Sequence, residues 1–399
     1  MSDQFREVTT RSWGSRVMGS FVGVLIGLLL FIGSFPLIFW NEGRSVDRIR
    51  TLGEGRAAVV SLSSDQIDSA HQGGLIHISG VATTDEVLKD LPFGVQENAL
   101  KLKRLVEMYQ WQEKSESKTT KNLGGSETTE TVYSYEKIWS QNRIDSSDFK
   151  KPSGHENPSM PAFGSEQFTA STIKIGAFRL GSSFVGQIGG FENYPLGQNN
   201  VDAMDPALGR EYRLNGNSYF RGNPSNPQVG AIRISYQIVR PMDVSAVGKQ
   251  DGDSLQSFAA KNGTINLLET GTVSANDMFA AAESKNKLVT WLIRLGAFLM
   301  MWIGLSLVMG PLSVIGSVIP FIGSILGAGT GFIAFVLALV LTAVTAAIAW
   351  IVFRPLIGIA LLVAAALFFF GGFKWLRSKA QSAASASGST SPQFGRPAV

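Results

Sequence analysis

Between Arg294 and Arg354 the chain contains no Asp, Glu, Lys or Arg, and after Pro355 its apolar character resumes until Lys374. A helix crosses the hydrocarbon core of a bilayer with roughly 20 apolar residues, so this run is long enough for more than one crossing. A second uncharged run, Val17 to Trp40, follows Arg6, Arg11 and Arg16. A secretory signal has an apolar centre of about 7–15 residues and ends at a small-x-small site. Val17 to Trp40 is longer, and no such site precedes Asn41, so a retained anchor helix is expected. The chain is therefore held in a membrane from both ends of its sequence.

Helix breakers divide the larger run. Trp291 to Met309 is one expected crossing, ended by Gly310-Pro311. Residues 310–329 carry Pro320 and several glycines, which favours an interfacial or re-entrant connector over an ordinary span. Residues 330–353 make the next crossing and 354–373 the last, with Arg354-Pro355 as the turn between them. Residues 374–399 are rich in Ser, Ala, Gly and Pro, a composition that buries too little to order a chain. One crossing before residue 41 and three after residue 290 place both termini on one side. Basic residues flank the first and last crossings, so the positive-inside rule puts residues 1–16 and the 374–399 tail in the cytoplasm.

Residues 41–290 then form an extracytoplasmic domain, and their pattern is mainly β. Asn41-Glu42-Gly43-Arg44 reads as a polar exit from the membrane. Ala57 to Leu62 and Gly74 to Gly80 read as short strands. Leu100 to Gln112 alternates, with Leu100, Leu102, Val106 and Met108 on one face, and Glu130 to Ser140 is a second alternating aromatic run. Asn122-Leu123-Gly124-Gly125 supplies turn residues between them, so a long hairpin with a mobile polar tip is expected. Phe168 to Leu180 is ambiguous between helix and strand, and Gly181 to Pro206 reads as a glycine-rich loop. Asn215-Gly216 marks a further hairpin turn, and Val229 to Arg240 alternates cleanly. Ser274 opens a helix, with Asp277 three residues on, that runs without a breaker into the membrane near Trp291. The fold class is α+β: an antiparallel β-rich extracytoplasmic domain with one N-terminal and three C-terminal transmembrane helices.

The chain has no cysteine, which excludes disulfides, thiolate metal sites and thiol nucleophiles. Its formal charge of +4 is mild and its basic residues gather beside the apolar runs, a mark of membrane topology and not of nucleic-acid binding. No phosphate-binding loop, zinc-protease helix, nucleophile elbow or dinucleotide fingerprint is present. His71, His77 and His155 lack ligand spacing, so no metal or cofactor site is expected and no catalytic residue is assigned. His155, in Gly154-His155-Glu156-Asn157-Pro158, is expected to anchor a loop. Tyr109, Trp111, Tyr133, Tyr135 and Trp139 suit cross-strand packing, with a peptide- or lipid-binding face as the alternative. The crossings carry no ionisable residue except Arg354, so a pump or coupled transporter is disfavoured, and a channel would lack a polar lining. Gly327, Gly329, Gly331, Ala343, Ala346, Ala347 and Ala349 permit close helix contact and fit self-association.

Five motifs carry a family resemblance: Phe39 to Arg44 (FWNEGR), Leu105 to Glu113 (LVEMYQWQE), Tyr133 to Trp139 (YSYEKIW), Gly154 to Pro158 (GHENP) and Phe353 to Leu356 (FRPL). In order and spacing they resemble the transmembrane protein 43 family, also called LUMA, from about Gly19 to Phe373. The resemblance implies one N-terminal span, a large extracytoplasmic domain and three C-terminal spans. It implies no enzymatic activity. Eukaryotic members sit in the endoplasmic reticulum and inner nuclear membrane, where they are linked to membrane-protein assemblies with lamin and emerin contacts. The cysteine-free composition and the Ser-rich tail point to a bacterial member in the cytoplasmic (inner) membrane, where lamins and emerin have no place.

The expected function is a non-enzymatic multi-pass scaffold that organises membrane-protein or lipid assemblies and self-associates, without nucleic acid. The alternative is an envelope lipid-handling protein or enzyme using the 154–161 loop and adjacent aromatics. The structural or interaction positions singled out are Glu42, Arg44, Glu107, Tyr109, Trp111, Tyr133, Tyr135, Trp139, His155, Asn157, Pro158, Arg354 and Pro355.

Overall fold

One helix, α1 (Trp13–Ala58), sets the long dimension of the molecule. At about 1.5 Å per residue its 46 residues extend roughly 70 Å, more than twice the thickness of a hydrocarbon core. The computed structural model describes residues 4–318 and 320–355. Asn41-Glu42-Gly43-Arg44 was expected to end the first helix; instead α1 continues through it without a break. The reason is tertiary. Asn41, Glu42, Ser45 and Thr51 are buried against other elements, so polarity here marks an interior and not an exit. The extension also consumes Ala57 and Ala58, leaving only Val60–Ser61 of the strand expected over 57–62.

Two further long helices pack on α1. The first, α2 (Ala275–Val308), starts at Ser274, whose hydroxyl accepts from the Asp277 amide and donates to the Asp277 carboxylate. It then runs antiparallel to α1 into the bundle. A short helix, α3 (Gly310–Gly316), follows, and α4 (Pro320–Phe353) returns. Among the described residues three helices can cross a membrane by length and composition, over Trp13–Ala58, Ala275–Val308 and Leu326–Phe353. The crossing expected over 354–373 and the tail expected to be disordered lie outside the described residues, apart from Arg354 and Pro355. Helices α1 and α2 meet backbone to backbone: a Cβ on Gly27 would lie 2.6 Å from the Gly304 carbonyl oxygen, and one on Gly304 2.7 Å from the Phe31 amide. Ile38, Ala297, Met301 and Ala338 form the bundle's small core.

Between α1 and α2 the chain builds an antiparallel β domain. Its first sheet centres on β2 (Leu75–Thr83), β6 (Met242–Asp251) and β7 (Leu267–Thr270), with β6 in the middle. Its second contains β3 (Lys101–Lys121), β4 (Glu127–Ser140) and β5 (Ile232–Val239). Beyond β5 it adds the hairpin of Ser218–Arg221 with Arg213–Asn215, which turns at Gly216 with a φ of 57°. Ile76, Ile78 and Ala246 from one sheet share a core with Leu102, Val106, Ile234 and Tyr236 from the other. The ambiguous Phe168 to Leu180 stretch contributes short strands, and the glycine-rich 181–206 stretch contains two short helices, Ser182–Val185 and Gln198–Asp202.

Only the first half of β3 belongs to that core. From Trp111 to Lys121 it leaves the domain as an arm, paired with β4. A third strand joins it, β1 (Gln4–Arg11), in unbroken register with β4 from Gln4↔Ser134 to Arg11↔Glu127. The segment read as a polar tail is thus an outer strand. The arm's turn, expected to be mobile, is docked. The Gly124 amide donates to Val318 O at 3.1 Å, the Arg16 guanidinium binds Gly125 O and, at 3.2 Å, Glu127, and Trp13 Nε1 donates to Val314 O at 3.2 Å. Arm and helix are matched in reach, since eleven extended residues and the 25 helical residues from Arg16 to Trp40 both cover about 36 Å. The arm's tip therefore meets the end of the bundle opposite the β domain.

Candidate functional site at the membrane junction and the arm root

The singled-out positions gather in two places. The first is the junction where α1 and α2 leave the bundle for the β domain. Glu42, only 1% exposed, receives both Nε and Nη2 of Arg294, at 2.6 and 2.8 Å. Trp350 of α4 donates its indole N–H to the same carboxylate at 2.8 Å, and the Arg294 guanidinium lies 4.8 and 5.6 Å from the ring centres of Trp291 and Trp350. One carboxylate thus ties three helices. A bidentate pair with its remaining acceptor capacity filled is the form in which a buried charge is tolerated.

One turn along, Arg44 donates to Asn286 Oδ1, Asn41 Oδ1 and Thr290 Oγ1, at 3.1, 3.2 and 3.1 Å. Asn41 donates in turn to Thr290 O and Asn286 to Ser45 O. Glu42 and Arg44 were legible in the sequence as special; their partners Asn286, Thr290, Arg294 and Trp350 were not. Arg294 did carry a signal, as the last charge before the uncharged run. Arg354 and Pro355 close the described part of α4 beside this junction, where Arg50 donates to Phe353 O at 3.1 Å.

The second place is the root of the arm. Asn157 behaves there as a one-residue strand: its Oδ1 accepts from the Trp111 amide at 2.7 Å and its Nδ2 donates to Trp111 O at 2.9 Å. Its own amide is held by Ser146, and Pro158 packs beside Gly230. His155 is buried, stacked on Tyr135 with ring centres 3.9 Å apart and edge-on to Trp111 at 4.7 Å. The Glu156 carboxylate turns back onto its own backbone amide and that of Gly154, which together hold its pKa below the ordinary value. His155, Glu156 and Asn157 therefore spend their side chains on closing the loop over the arm. Loop anchoring for His155 is what the geometry describes.

The aromatic set divides along the arm. Tyr109 and Trp139 pair at 5.2 Å, and Arg233, bound to Glu107 at 2.8 Å, covers the Trp139 ring at 4.7 Å. Lys137 lies 4.7 Å above Trp111. Tyr135 donates to Glu113 at 2.7 Å, and Glu113 also accepts from the Lys150 amide. Tyr133 sits further out, donating to Glu7 of β1 at 3.0 Å, with Lys150 on the same carboxylate. The set is cross-strand packing under a loop and not one exposed aromatic face.

A third arrangement links sheet to bilayer. His77 of β2 places Nε2 at 2.9 Å from Val273 O, immediately before the Ser274 cap, and Nδ1 at 3.1 Å from Ser61 Oγ. A carbonyl can only accept, so Nε2 carries the proton and Nδ1 accepts from Ser61. Ser245 of β6 accepts from the Val273 amide at 2.8 Å and donates to Gly271 O. These bonds tie β2 and β6 to the start of α2 at Val273.

Apolar helices long enough to span, a buried ionic junction and an attached antiparallel β domain define an integral membrane protein with a substantial folded region beside the bilayer. The family description Transmembrane protein 43 matches residues 108–355, and the chain belongs to that family. It is 34% identical to human transmembrane protein 43 over 346 residues, covering 84% of this chain and 85% of that protein. Mouse transmembrane protein 43 is 33% identical over the same length, and the Drosophila melanogaster homolog 29% identical over 355 residues, 86% of this chain and 92% of that protein. No solved structure matches the chain.

Proposed function

We propose that the chain is a non-enzymatic scaffold that self-associates and holds membrane proteins and lipids around itself. The open edges of the arm carry this reading. On one side Asn157 ends the ladder at Trp111, and among the described residues no strand continues along β3 from there to Lys121. On the other side β1 is the last strand. The arm is polar, with Lys114, Glu116, Lys118, Glu130 and a run of threonines, and it is as long as the bundle beside it. Unpaired sheet edges template association, and backbone at the depth of a bilayer is tolerated only where protein or water covers it. A second copy supplies both the pairing and the cover. The small residues of the bundle are a weaker support, since Ala338 and Ala349 are buried and Gly27 and Gly304 are used within one chain.

The orientation belongs to the same reading: both tails in the cytoplasm, the β domain on the other side of a cytoplasmic or endoplasmic-reticulum membrane, and the arm's tip at the cytoplasmic end with β1. Arg6, Arg11 and Arg16 before the first span support it. Because the chain has no cysteine, single introduced thiols test both points. Lys118→Cys is expected to cross-link copies in native membranes far above the domain control Asp65→Cys; equal yields, with a monomeric mass in lipid nanodiscs, would sink self-association. In sealed vesicles a membrane-impermeant thiol reagent is expected to reach Gln4→Cys and Leu123→Cys from one side and Asp251→Cys from the other. Labelling of all three from one side would discard the orientation.

A further inference from the structure

Where α1 and α2 emerge beneath the β domain they leave a cleft of about 320 Å³. Arg44 and Arg48 enter it from α1 and Lys285 from α2, while Gln187, Asn266 and Glu269 face them from the β domain. Three cations share this space with one carboxylate. Of the neighbouring bases along the same helices, Arg50 is paired with Asp47, Arg56 with Glu283 and Arg294 with Glu42, while Lys287 is exposed. Among the described residues no carboxylate lies within 4.0 Å of a nitrogen of Arg44, Arg48 or Lys285. All three acceptors on Arg44 are neutral, and its Nε is buried with no partner. Arg48 has a single backbone acceptor, Thr264 O at 2.8 Å. The cleft gathers three cations that have no carboxylate partner among the described residues.

Depth identifies what would neutralise it. The uncharged run of α1 ends at Trp40, which is exposed as a residue of the aromatic belt is. Arg44 and Arg48 lie about 6 and 12 Å further along the axis, within and just beyond the layer of lipid headgroups. Arg44 and Arg48 also line a second hollow together with Asp47, Trp40 and Phe353, so both cations border an apolar aromatic surface. We propose that this cleft binds the phosphate of an anionic phospholipid, with Arg48 as a forked donor, Arg44 contributing its charge and its remaining Nη1 hydrogen, and Lys285 as a point charge. The site does not require self-association, and the two are measured separately.

The test uses the full-length protein in mild detergent, titrated with phosphatidic acid, phosphatidylglycerol or phosphatidylcholine and followed by native mass spectrometry of retained lipid. Phosphatidic acid and phosphatidylglycerol are expected to be retained and phosphatidylcholine washed off. Arg48→Gln and Lys285→Gln are each expected to weaken retention several-fold, and the double variant on the order of tenfold or more, as loss of charge-assisted bonds does. Neither residue touches the Glu42–Arg294 pair, so an unchanged melting temperature confirms that these variants are folded. Arg44→Lys, which keeps the charge, is expected to bind between wild type and Arg44→Gln. Equal retention of phosphatidylcholine, or a folded double variant that retains anionic lipid as well as wild type, would overturn the site. Inorganic phosphate that displaces the anionic lipids and stabilises the protein as strongly as they do would overturn the headgroup assignment in favour of a soluble phosphate.

Discussion

The junction and the arm both set polar groups beside an apolar bundle, in opposite ways. At the junction Glu42, Arg294, Arg44, Asn286 and Thr290 face inward, and helices α1, α2 and α4 close over them. In the arm the polar residues face outward on a sheet whose edges, among the described residues, stay open. The first arrangement spends polarity on holding one chain together. The second leaves it exposed on the single chain. Side-chain character alone does not separate the two cases; what separates them is whether a complementary element of the same chain arrives.

The comparison breaks hardest at Glu42. Glu42→Ala leaves Arg294 charged, half-wrapped by Trp291 and Trp350, and without its carboxylate. Removing one partner of a buried pair costs about 3–5 kcal/mol. A melting curve of the purified protein in detergent is expected to fall steeply, while Leu29→Ala on the lipid-facing side of the same helix, 72% exposed, barely shifts it. Similar shifts from both would mean that the junction does not hold the helices.

Asn157→Ala sharpens the boundary between the two regions, because Asn157 is where the closed sheet becomes the open arm. The variant strips both bonds from Trp111 and the Nδ2 donor from Ile144 O, at a cost of about 1–3 kcal/mol. Hydrogen exchange is expected to rise at Trp111 and along Glu113 to Lys121 while β5 and β6 stay protected. Uniform loss of protection would show that arm and core unfold together.

How much of this was readable follows the same division. The alternation of β3, β4 and β5 and the Asn215-Gly216 turn are local patterns, and each folded as its period dictates; within the uncharged Leu295 to Phe353 run, α4 starts at Pro320, inside the stretch read as a connector. Asn41 to Arg44 misled because a polar cluster after an apolar run means an exit only when water is the next solvent. Here the next solvent is Asn286, Thr290 and Arg294, some 250 residues downstream. Strand β1 was missed because Gln4 to Arg11 is polar on both faces; Val8-Thr9-Thr10, a β-branched run, was its one available signal. His155 and Asn157 were visible as a motif, but that Asn157 acts as a strand follows only once Trp111 lies beside it.

His77 tests the link between sheet and helix through pH. Burial holds its imidazole below the ordinary histidine pKa, with the bond to Val273 O opposing in part. The fold therefore favours the neutral ring. Its contribution is complete above the unfolded value of about 6.5 and is lost as pH falls below it, through the window down to the lowered folded value. Melting temperature is expected to drop on the acid side of that value, by less than Asn157→Ala produces, and His77→Gln is expected to flatten the dependence. A wild-type profile identical to that of His77→Gln would remove the ring from the coupling.

The smallest effect belongs to the arm's surface. Thr119 and Thr129 pair their hydroxyls at 3.0 Å across β3 and β4, and Ser117 and Thr131 do so at 2.9 Å. Both pairs are exposed in the single chain, so Thr129→Ala is expected to change its stability by no more than about 0.5 kcal/mol in detergent. In a native membrane the same substitution acts on whatever covers the arm. If a second copy does, Thr129→Ala lowers the cross-linking of Lys118→Cys while the melting curve stands still. A stability loss as large as that of Asn157→Ala would instead make the arm a closed part of the single chain, and the contrast with the junction would disappear.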